Sequence, residues 1–167
     1  MDVLFENSHI RNKALAKELY GFIFFRRHYL FVAYIVLLIS FIINLILLFT
    51  TGTTNWYIFI FVPLFLVLRV ITYYKSVKLM TERDDEMFGG PVEVKAIVTD
   101  EFIQNTTSSG SVNKLEFNKI KKVNQTKNLI LLLSDSKLIY VFRKDSFSVG
   151  TYDEFIVYLR NKGIKVK

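Results

Sequence analysis

Few side chains in this sequence are arranged for catalysis. The only histidines are His9 and His28, and neither has an identifiable acid or nucleophile partner. His28 follows Arg26 and Arg27, whose positive charges would keep the imidazole neutral, and His9 lies in a segment that we expect to be mobile. The absence of cysteine excludes disulfides and thiol catalysis within this chain. We therefore expect a protein that is not an enzyme and has no cofactor.

An acidic run and a glycine pair could be mistaken for ligand sites. The run is Asp84-Asp85-Glu86, and consecutive carboxylates on a helix point in different directions. No histidine stands nearby, so we interpret the run as a solvated helix face and expect no metal site. Gly89-Gly90 lacks the following helix that phosphate binding at a helix start requires, and no other phosphate-binding glycine pattern occurs.

The best candidate for a binding surface is a group of lysines opposed only by Glu116. Its members are Lys114, Lys119, Lys121, Lys122 and Lys127. Close to a negatively charged leaflet, each lysine contributes about 1 kcal/mol of attraction. The group could therefore bind anionic lipid head groups or an acidic protein partner, or it could serve only for solubility. Aromatic residues are not interleaved with these lysines, so we expect no nucleic-acid binding.

Two apolar runs must position everything else. Residues 29–50 carry no charge, and a short polar loop leads to a second run at residues 56–74. A bilayer core about 30 Å thick needs roughly 20 helical residues, which both runs provide. We predict a transmembrane helical hairpin in contact with the lipid bilayer, and homo-oligomers could form through it. The first run is too long for a cleaved signal peptide.

Two polar residues, Asn44 and Arg69, lie within these runs. In an antiparallel hairpin Arg69 lies at about the depth of Tyr34, on the order of 8 Å from the end of its run. Arg69 could snorkel to the head groups or contact Tyr34, and the alternative is an ion or substrate role. For Asn44 we expect an interhelical hydrogen bond.

The orientation follows from the charges beside the two runs. Arg26 and Arg27 precede the first run, Lys75 and Lys78 follow the second, and the loop has no charge. Positive residues stay on the cytoplasmic side. We therefore predict a multi-pass protein of the cell membrane with both termini in the cytoplasm.

Residues 1–28 are predicted to contain a cytoplasmic amphipathic helix. Ser8 could be its N-cap, Ile10, Leu15 and Leu19 recur at roughly helical spacing, and Gly21 would break or bend it. A basic amphipathic helix can lie in the membrane surface. The alternative, that it packs on the C-terminal domain, stays open.

Residues 75–91 are predicted to hold the end of the second helix and a linker, and 92–167 a small β-rich domain. From Val92 onward apolar residues alternate with polar ones, and Phe117, Ile120 and Val123 indicate one helical turn. The predicted strands cover residues 92–99, 102–107, 112–117, 123–126, 129–133 and 138–143. Thr151 and Glu154 form a capping box that begins a helix, and Gly163 should end it. The fold class is thus membrane α+β: a transmembrane hairpin plus an antiparallel half barrel of five or six strands, similar to pleckstrin-homology (PH) domains and closed by a helix.

Several short sequences resemble the YcxB-like family of bacterial membrane proteins. They are FGG at 88–90, FNKIKKV at 117–123, TKNLILL at 126–132, RKDSF at 143–147 and, before the hairpin, NKALAK at 12–17. The resemblance implies a short N-terminal segment, a two-helix membrane hairpin and a small cytosolic β-rich domain. It implies no catalytic activity, because its motifs concern packing and turns.

These observations lead to one functional expectation and two alternatives. We expect a non-enzymatic integral membrane protein whose cytosolic PH-like domain binds or regulates. One alternative is a small transport or pore component that oligomerises through the hairpin. The other is an immunity or stress-protection membrane protein.

Overall fold

The computed structural model describes residues 2–26 and 28–167, and at positions 26, 28 and 29 it describes the backbone only. The predictions that concern Arg27 and the side chains of Arg26 and His28 therefore lie outside the described part. Contacts divide the chain into two compact units. One comprises Met1–Leu15 with Thr81–Lys167, and the other Ala16–Met80.

A pair of long apolar helices dominates the unit 16–80. Helix α2 spans His28–Thr51, and helix α3 begins at Trp56 and ends at Phe88. Leu30–Thr51 and Trp56–Phe88 are long and apolar enough to cross a membrane, and the most apolar stretch of 18 residues in each has a mean hydropathy of 2.9 and 2.0, respectively. The prediction of two long apolar helices is confirmed. The glycine pair ends α3: Gly89 adopts a φ of +69°, which favours glycine, and its N–H donates to the Asp85 carbonyl at 3.0 Å.

The N-terminal segment differs from the prediction. Residues Phe5–Ile10 form a strand, β1, which pairs antiparallel with strand β2, Glu93–Val98. Ser8, the expected N-cap, lies inside β1, and its hydroxyl donates to Glu93 at 2.6 Å. The helix α1, Lys13–Gly21, starts later, with the Asn12 side chain accepting the Leu15 N–H at 2.9 Å. A π-helical turn, Phe22–Arg26, follows at Gly21, where a break was expected.

Two antiparallel sheets complete the unit to which β1 belongs. The remaining strands are β3 (Phe102–Thr107), β4 (Val112–Glu116), β5 (Ile120–Gln125), β6 (Leu129–Ser134), β7 (Ile139–Arg143) and β8 (Phe147–Val149). One sheet has the order β4-β3-β2-β1-β8, and the other β5-β6-β7. The predicted strands from 92 to 143 are present within a few residues, and so is the helical turn Phe117–Lys119. Strands β1 and β8 were not predicted.

The hydrophobic core lies between these sheets and helix α4, Tyr152–Asn161. The predicted capping box is present, and it satisfies amide groups at the start of α4. Phe155 and Leu159 of α4 are fully buried, and Phe155 lies 5.0 Å from Phe142 between ring centroids. The β-rich unit therefore extends beyond the predicted 92–167, because β1 lies between β2 and β8 and Phe5 joins the core.

Candidate functional site

A β-bulge in β5 turns two adjacent lysines outward. Ile120 pairs with Ser134 and Lys122 pairs with Leu133, so Lys121 is the extra residue of the bulge. Ile120 and Val123 are both buried, although they are three residues apart and a regular strand alternates its faces every residue. The bulge resolves this conflict, since Lys121 is exposed and Lys122 is half-buried. Two positive charges are thereby brought side by side.

The C-terminal residues extend this group of charges. The Val123 N–H donates to the Lys165 carbonyl, and the Lys167 N–H donates to the Val123 carbonyl, both at 2.9 Å. The side chains of Lys165 and Lys167 are exposed, while Val166 packs on the core. These two lysines were not predicted as part of the site. The alternation of Ile164 and Val166 with them is the sequence signal that could have found them.

We name the lysines on and beside β5 the β5 basic surface. Its members are Lys119, Lys121, Lys122, Lys165 and Lys167. Lys119 forms an ion pair with Glu116 at 3.0 Å. Both side chains are more than half exposed, so water screens the pair and its contribution to stability is small. Glu116 thus offsets one charge of the surface and leaves the others available.

The other two predicted lysines lie elsewhere. Lys114 is on β4 in the other sheet, and its Nζ lies 4.6 Å from the centroid of the Phe102 ring. Lys127 lies in the turn after β5, whereas Lys119 precedes this strand, whose six residues span roughly 20 Å at about 3.3 Å per residue. The five predicted lysines therefore come from β4, from the helical turn that follows it, from β5 and from the turn after β5.

His9 is not mobile, because it lies on β1 and is buried. Its Nδ1 lies 3.4 Å from the Asn7 Oδ1. Burial, with smaller effects from the charges of Arg143 and Arg11, lowers the pKa of His9 from 6.5 to about 4. With this pKa the imidazole is neutral near pH 7. In the described part of the chain, no carboxylate or nucleophile forms a hydrogen bond with it.

Arg69 makes the predicted contact with Tyr34. Its Nε donates to the Tyr34 hydroxyl at 3.1 Å, and its Nη2 donates to the Phe24 carbonyl at 3.3 Å. The Tyr34 hydroxyl donates to the same carbonyl at 3.0 Å. Phe24 belongs to the π-helical turn, whose carbonyl is thus bonded by two side chains from α2 and α3.

Asn44 does not bridge the two helices as expected. Its Nδ2 donates to the Ser40 carbonyl of its own helix at 3.0 Å, and its Oδ1 accepts the Asn55 N–H at 3.2 Å. Asn55 in turn accepts the Tyr57 N–H at 3.2 Å and caps α3. Asn44 therefore fixes the hairpin loop.

The acidic run is only partly solvated. Asp85 and Glu86 are exposed, but Asp84 is buried and its Oδ1 lies 3.5 Å from Arg11. The periodicity of a helix explains this difference, since successive residues face different directions. Within the ranges 2–26 and 28–167, no group of three or more histidine, aspartate or glutamate side chains is placed to hold a metal ion.

Comparison with known proteins identifies the β-rich part of the chain. A family model described as YcxB-like protein matches residues 98–156, from the end of β2 into α4. The match includes β5 and its bulge and confirms the resemblance for this region, whereas the hairpin lies outside it. No curated protein and no solved structure matches the chain significantly.

Proposed function

Taking the YcxB-like domain as the recognition part of the chain, we propose a non-enzymatic membrane protein that binds anionic lipid head groups through its β5 basic surface. The observation that carries this proposal is the bulge, which places the exposed Lys121 and the half-buried Lys122 beside Lys165 and Lys167. Closely spaced lysines near an anionic leaflet add about 1 kcal/mol of attraction each. An acidic protein partner is the alternative occupant.

The hairpin supports membrane insertion. Its side chains are largely exposed: in the most apolar stretch of 18 residues of each helix, only 6% is buried inside the structure. Exposed apolar helices of this length need another apolar surface, and a bilayer core about 30 Å thick is suited to them. In this proposal the hairpin anchors the protein, and the chain crosses the cell membrane twice.

The proposed orientation places both termini and the PH-like domain in the cytoplasm. Lys75 and Lys78 follow the apolar part of α3, while the loop between α2 and α3 carries no charge. The basic surface would then be on the side of the anionic inner leaflet. A transport role is less well supported, because local hydrogen bonds hold both Asn44 and Arg69 in place.

Single cysteines can test this orientation cleanly, since the chain has none of its own. Thr53→Cys labels the loop and Ser136→Cys labels the β6–β7 turn. In intact cells a membrane-impermeant maleimide should modify the first variant and spare the second until the cells are lysed. Labelling of the turn in intact cells would contradict the proposed orientation.

Lysine reactivity in nanodiscs can test the lipid contact. The full chain is placed in discs of phosphatidylcholine, with or without phosphatidylglycerol, and treated with an amine-reactive reagent. We expect Lys121, Lys122, Lys165 and Lys167 to react several-fold more slowly in anionic discs, and high salt should abolish the protection. Equal reactivity in both discs would contradict the lipid contact.

A pair of double variants separates the surface from net charge. Lys121→Gln/Lys122→Gln should weaken the protection of Lys165 and Lys167. Lys114→Gln/Lys127→Gln removes the same charge from residues outside the β5 basic surface and should leave that protection unchanged. If the two double variants have equal effects, the anionic lipid is attracted by the net charge of the protein and not by the β5 basic surface.

A further inference from the structure

Arg69 is held in a fixed orientation within an otherwise uncharged stretch of α3. It is the only charged residue among residues 56–74. Besides its hydrogen bonds to Tyr34 and Phe24, its Cζ lies 4.8 Å from the centroid of the Phe24 ring. These three contacts fix the plane of the guanidinium group, so its remaining N–H groups have defined directions.

The charge of Arg69 is not compensated by the protein. Across residues 2–26 and 28–167, no carboxylate lies within ion-pair distance of this side chain. A guanidinium has five N–H donors. Arg69 uses two of them in these hydrogen bonds, so three N–H groups remain unpaired in the described part of the chain. A carbonyl dipole and an aromatic face attract a cation but do not neutralise it. An uncompensated charge in an apolar setting is costly, and a bound anion would remove that cost.

Phosphate is the anion that this geometry fits best. A fixed guanidinium fork binds phosphate oxygens through two parallel hydrogen bonds. Arg69 lies five residues before Tyr74, the end of the apolar run, or on the order of 8 Å along the helix, within reach of the head-group region. Phospholipids supply phosphate groups at that depth.

We propose that Arg69 binds the phosphate group of a phospholipid through the N–H groups that Tyr34 and Phe24 leave unused. This inference rests on the proposed insertion of the hairpin into a membrane, but it does not depend on the β5 basic surface. The lipid phosphate provides the negative charge that a carboxylate would otherwise supply. Arg69 thereby becomes a lipid-binding residue as well as a contact between α3 and the π-helical turn.

Three additives can test the site on the full chain purified in dodecyl maltoside. They are phosphatidylglycerol, monogalactosyldiacylglycerol, which lacks phosphate, and inorganic phosphate. We expect phosphatidylglycerol to raise the melting temperature and to remain bound in native mass spectra, and the galactolipid to do neither. An equal shift from inorganic phosphate would support phosphate recognition and assign the free ion as its source. Equal effects of the phospholipid and the galactolipid would overturn the proposal.

Variants then assign the binding to Arg69. Arg69→Gln should lower the apparent affinity for phosphatidylglycerol about tenfold or more, because charge-assisted hydrogen bonds are lost. Arg69→Lys keeps the positive charge but loses the two-pronged guanidinium group, so it should bind phosphatidylglycerol with intermediate affinity. Such binding would also show that a variant at this position still folds. Lys75→Gln, which removes one charge from the same helix, is the matched control. Unchanged lipid retention in Arg69→Gln would overturn the site.

Alkaline carbonate extraction distinguishes failure of the Arg69 site from failure of the proposed membrane insertion. A wild-type chain that carbonate extracts from membranes would refute membrane insertion itself. If Arg69→Gln stays in the membrane and retains as much lipid as the wild type, only the Arg69 site is refuted.

Discussion

Asn7 and Arg143 are joined by two hydrogen bonds through a single side chain. The Asn7 Nδ2 donates to the Arg143 carbonyl at 2.7 Å, and its Oδ1 accepts the Arg143 N–H at 3.2 Å. Asn7 lies on β1 and is fully buried, whereas Arg143 ends β7 in the other sheet. One amide group thus satisfies main-chain groups of β7 and connects the two sheets.

Replacing Asn7 with alanine should destabilise the β-rich unit by about 2–4 kcal/mol. The substitution leaves the Arg143 N–H without its acceptor and leaves the Arg143 carbonyl only the long hydrogen bond from the Ser146 N–H at 3.4 Å, and unpaired buried groups are costly. Hydrogen exchange of the full chain measures the effect, and the Arg143 amide should lose protection first. Ser8→Ala is the control, because Ser8 is on the same strand but faces outward, and it should cost at most about 0.5 kcal/mol. Equal costs for the two variants would contradict the bridging role.

A soluble form of the β-rich unit should require β1. Residues 92–167 alone lack this strand and the buried Phe5, so we expect them not to fold cooperatively. Joining residues 2–11 to 92–167 through Asn-Gly should restore a cooperative fold. The join is geometrically suitable because the Arg11 N–H donates to the Val92 carbonyl at 2.9 Å, and Asn-Gly favours a two-residue hairpin turn.

Thermal unfolding and amide NMR spectra of both fragments check this prediction. The same fusion with Phe5→Asp places an unpaired charge in the core and should lose cooperative unfolding. Cooperative folding of 92–167 alone would show that β1 is dispensable.

The sequence predicts those elements whose signals are local. Val92, Val94, Ala96 and Val98 alternate with outward residues, and all four are buried in the structure. The capping box of α4 lies within four residues. The contact between Arg69 and Tyr34 was also accessible, because antiparallel helices of known length fix which residues share a depth.

The unpredicted elements depend on distant partners. Strand β1 turns Asn7 and His9 inward beside Phe5, so two of its three buried side chains are polar and the apolar alternation that marks a strand is missing. Its partner β2 follows the whole hairpin, and no local signal connects the two strands. The bulge at Lys121 is likewise set by the register with β6.

His9 should make the β-rich unit less stable in mild acid. Burial lowers the pKa of His9 to about 4, so the unfolded chain binds a proton between pH 6.5 and 4 that the folded chain does not. The free energy of unfolding is therefore unaffected by His9 above pH 6.5. It decreases as the pH falls toward 4, by at most about 3 kcal/mol.

Unfolding free energies between pH 7 and 4.5 check the role of His9. His9→Gln should flatten this profile, since glutamine does not titrate. Glu6 and Asp145 also have lowered pKa values, from hydrogen bonds to Lys95 and Arg143 respectively, but they ordinarily titrate at 4.5 and 3.8 and contribute mainly below this range. An unchanged slope in His9→Gln would contradict the assignment.

Gly150 should tolerate alanine less well than Gly163. Both have positive φ angles, +72° and +77°, which cost any other residue about 1–2 kcal/mol. A Cβ at Gly150 would also collide with the Phe5 ring, whereas a Cβ at Gly163 meets nothing within 4 Å. Gly150→Ala should therefore cost about 1–3 kcal/mol more than Gly163→Ala in thermal unfolding. Phe5→Val should recover part of that difference in a double variant, because valine lacks the Cδ1 and Cε1 atoms that lie closest to the added Cβ. Equal costs at the two glycines would contradict the placement of β1 against the turn that precedes α4.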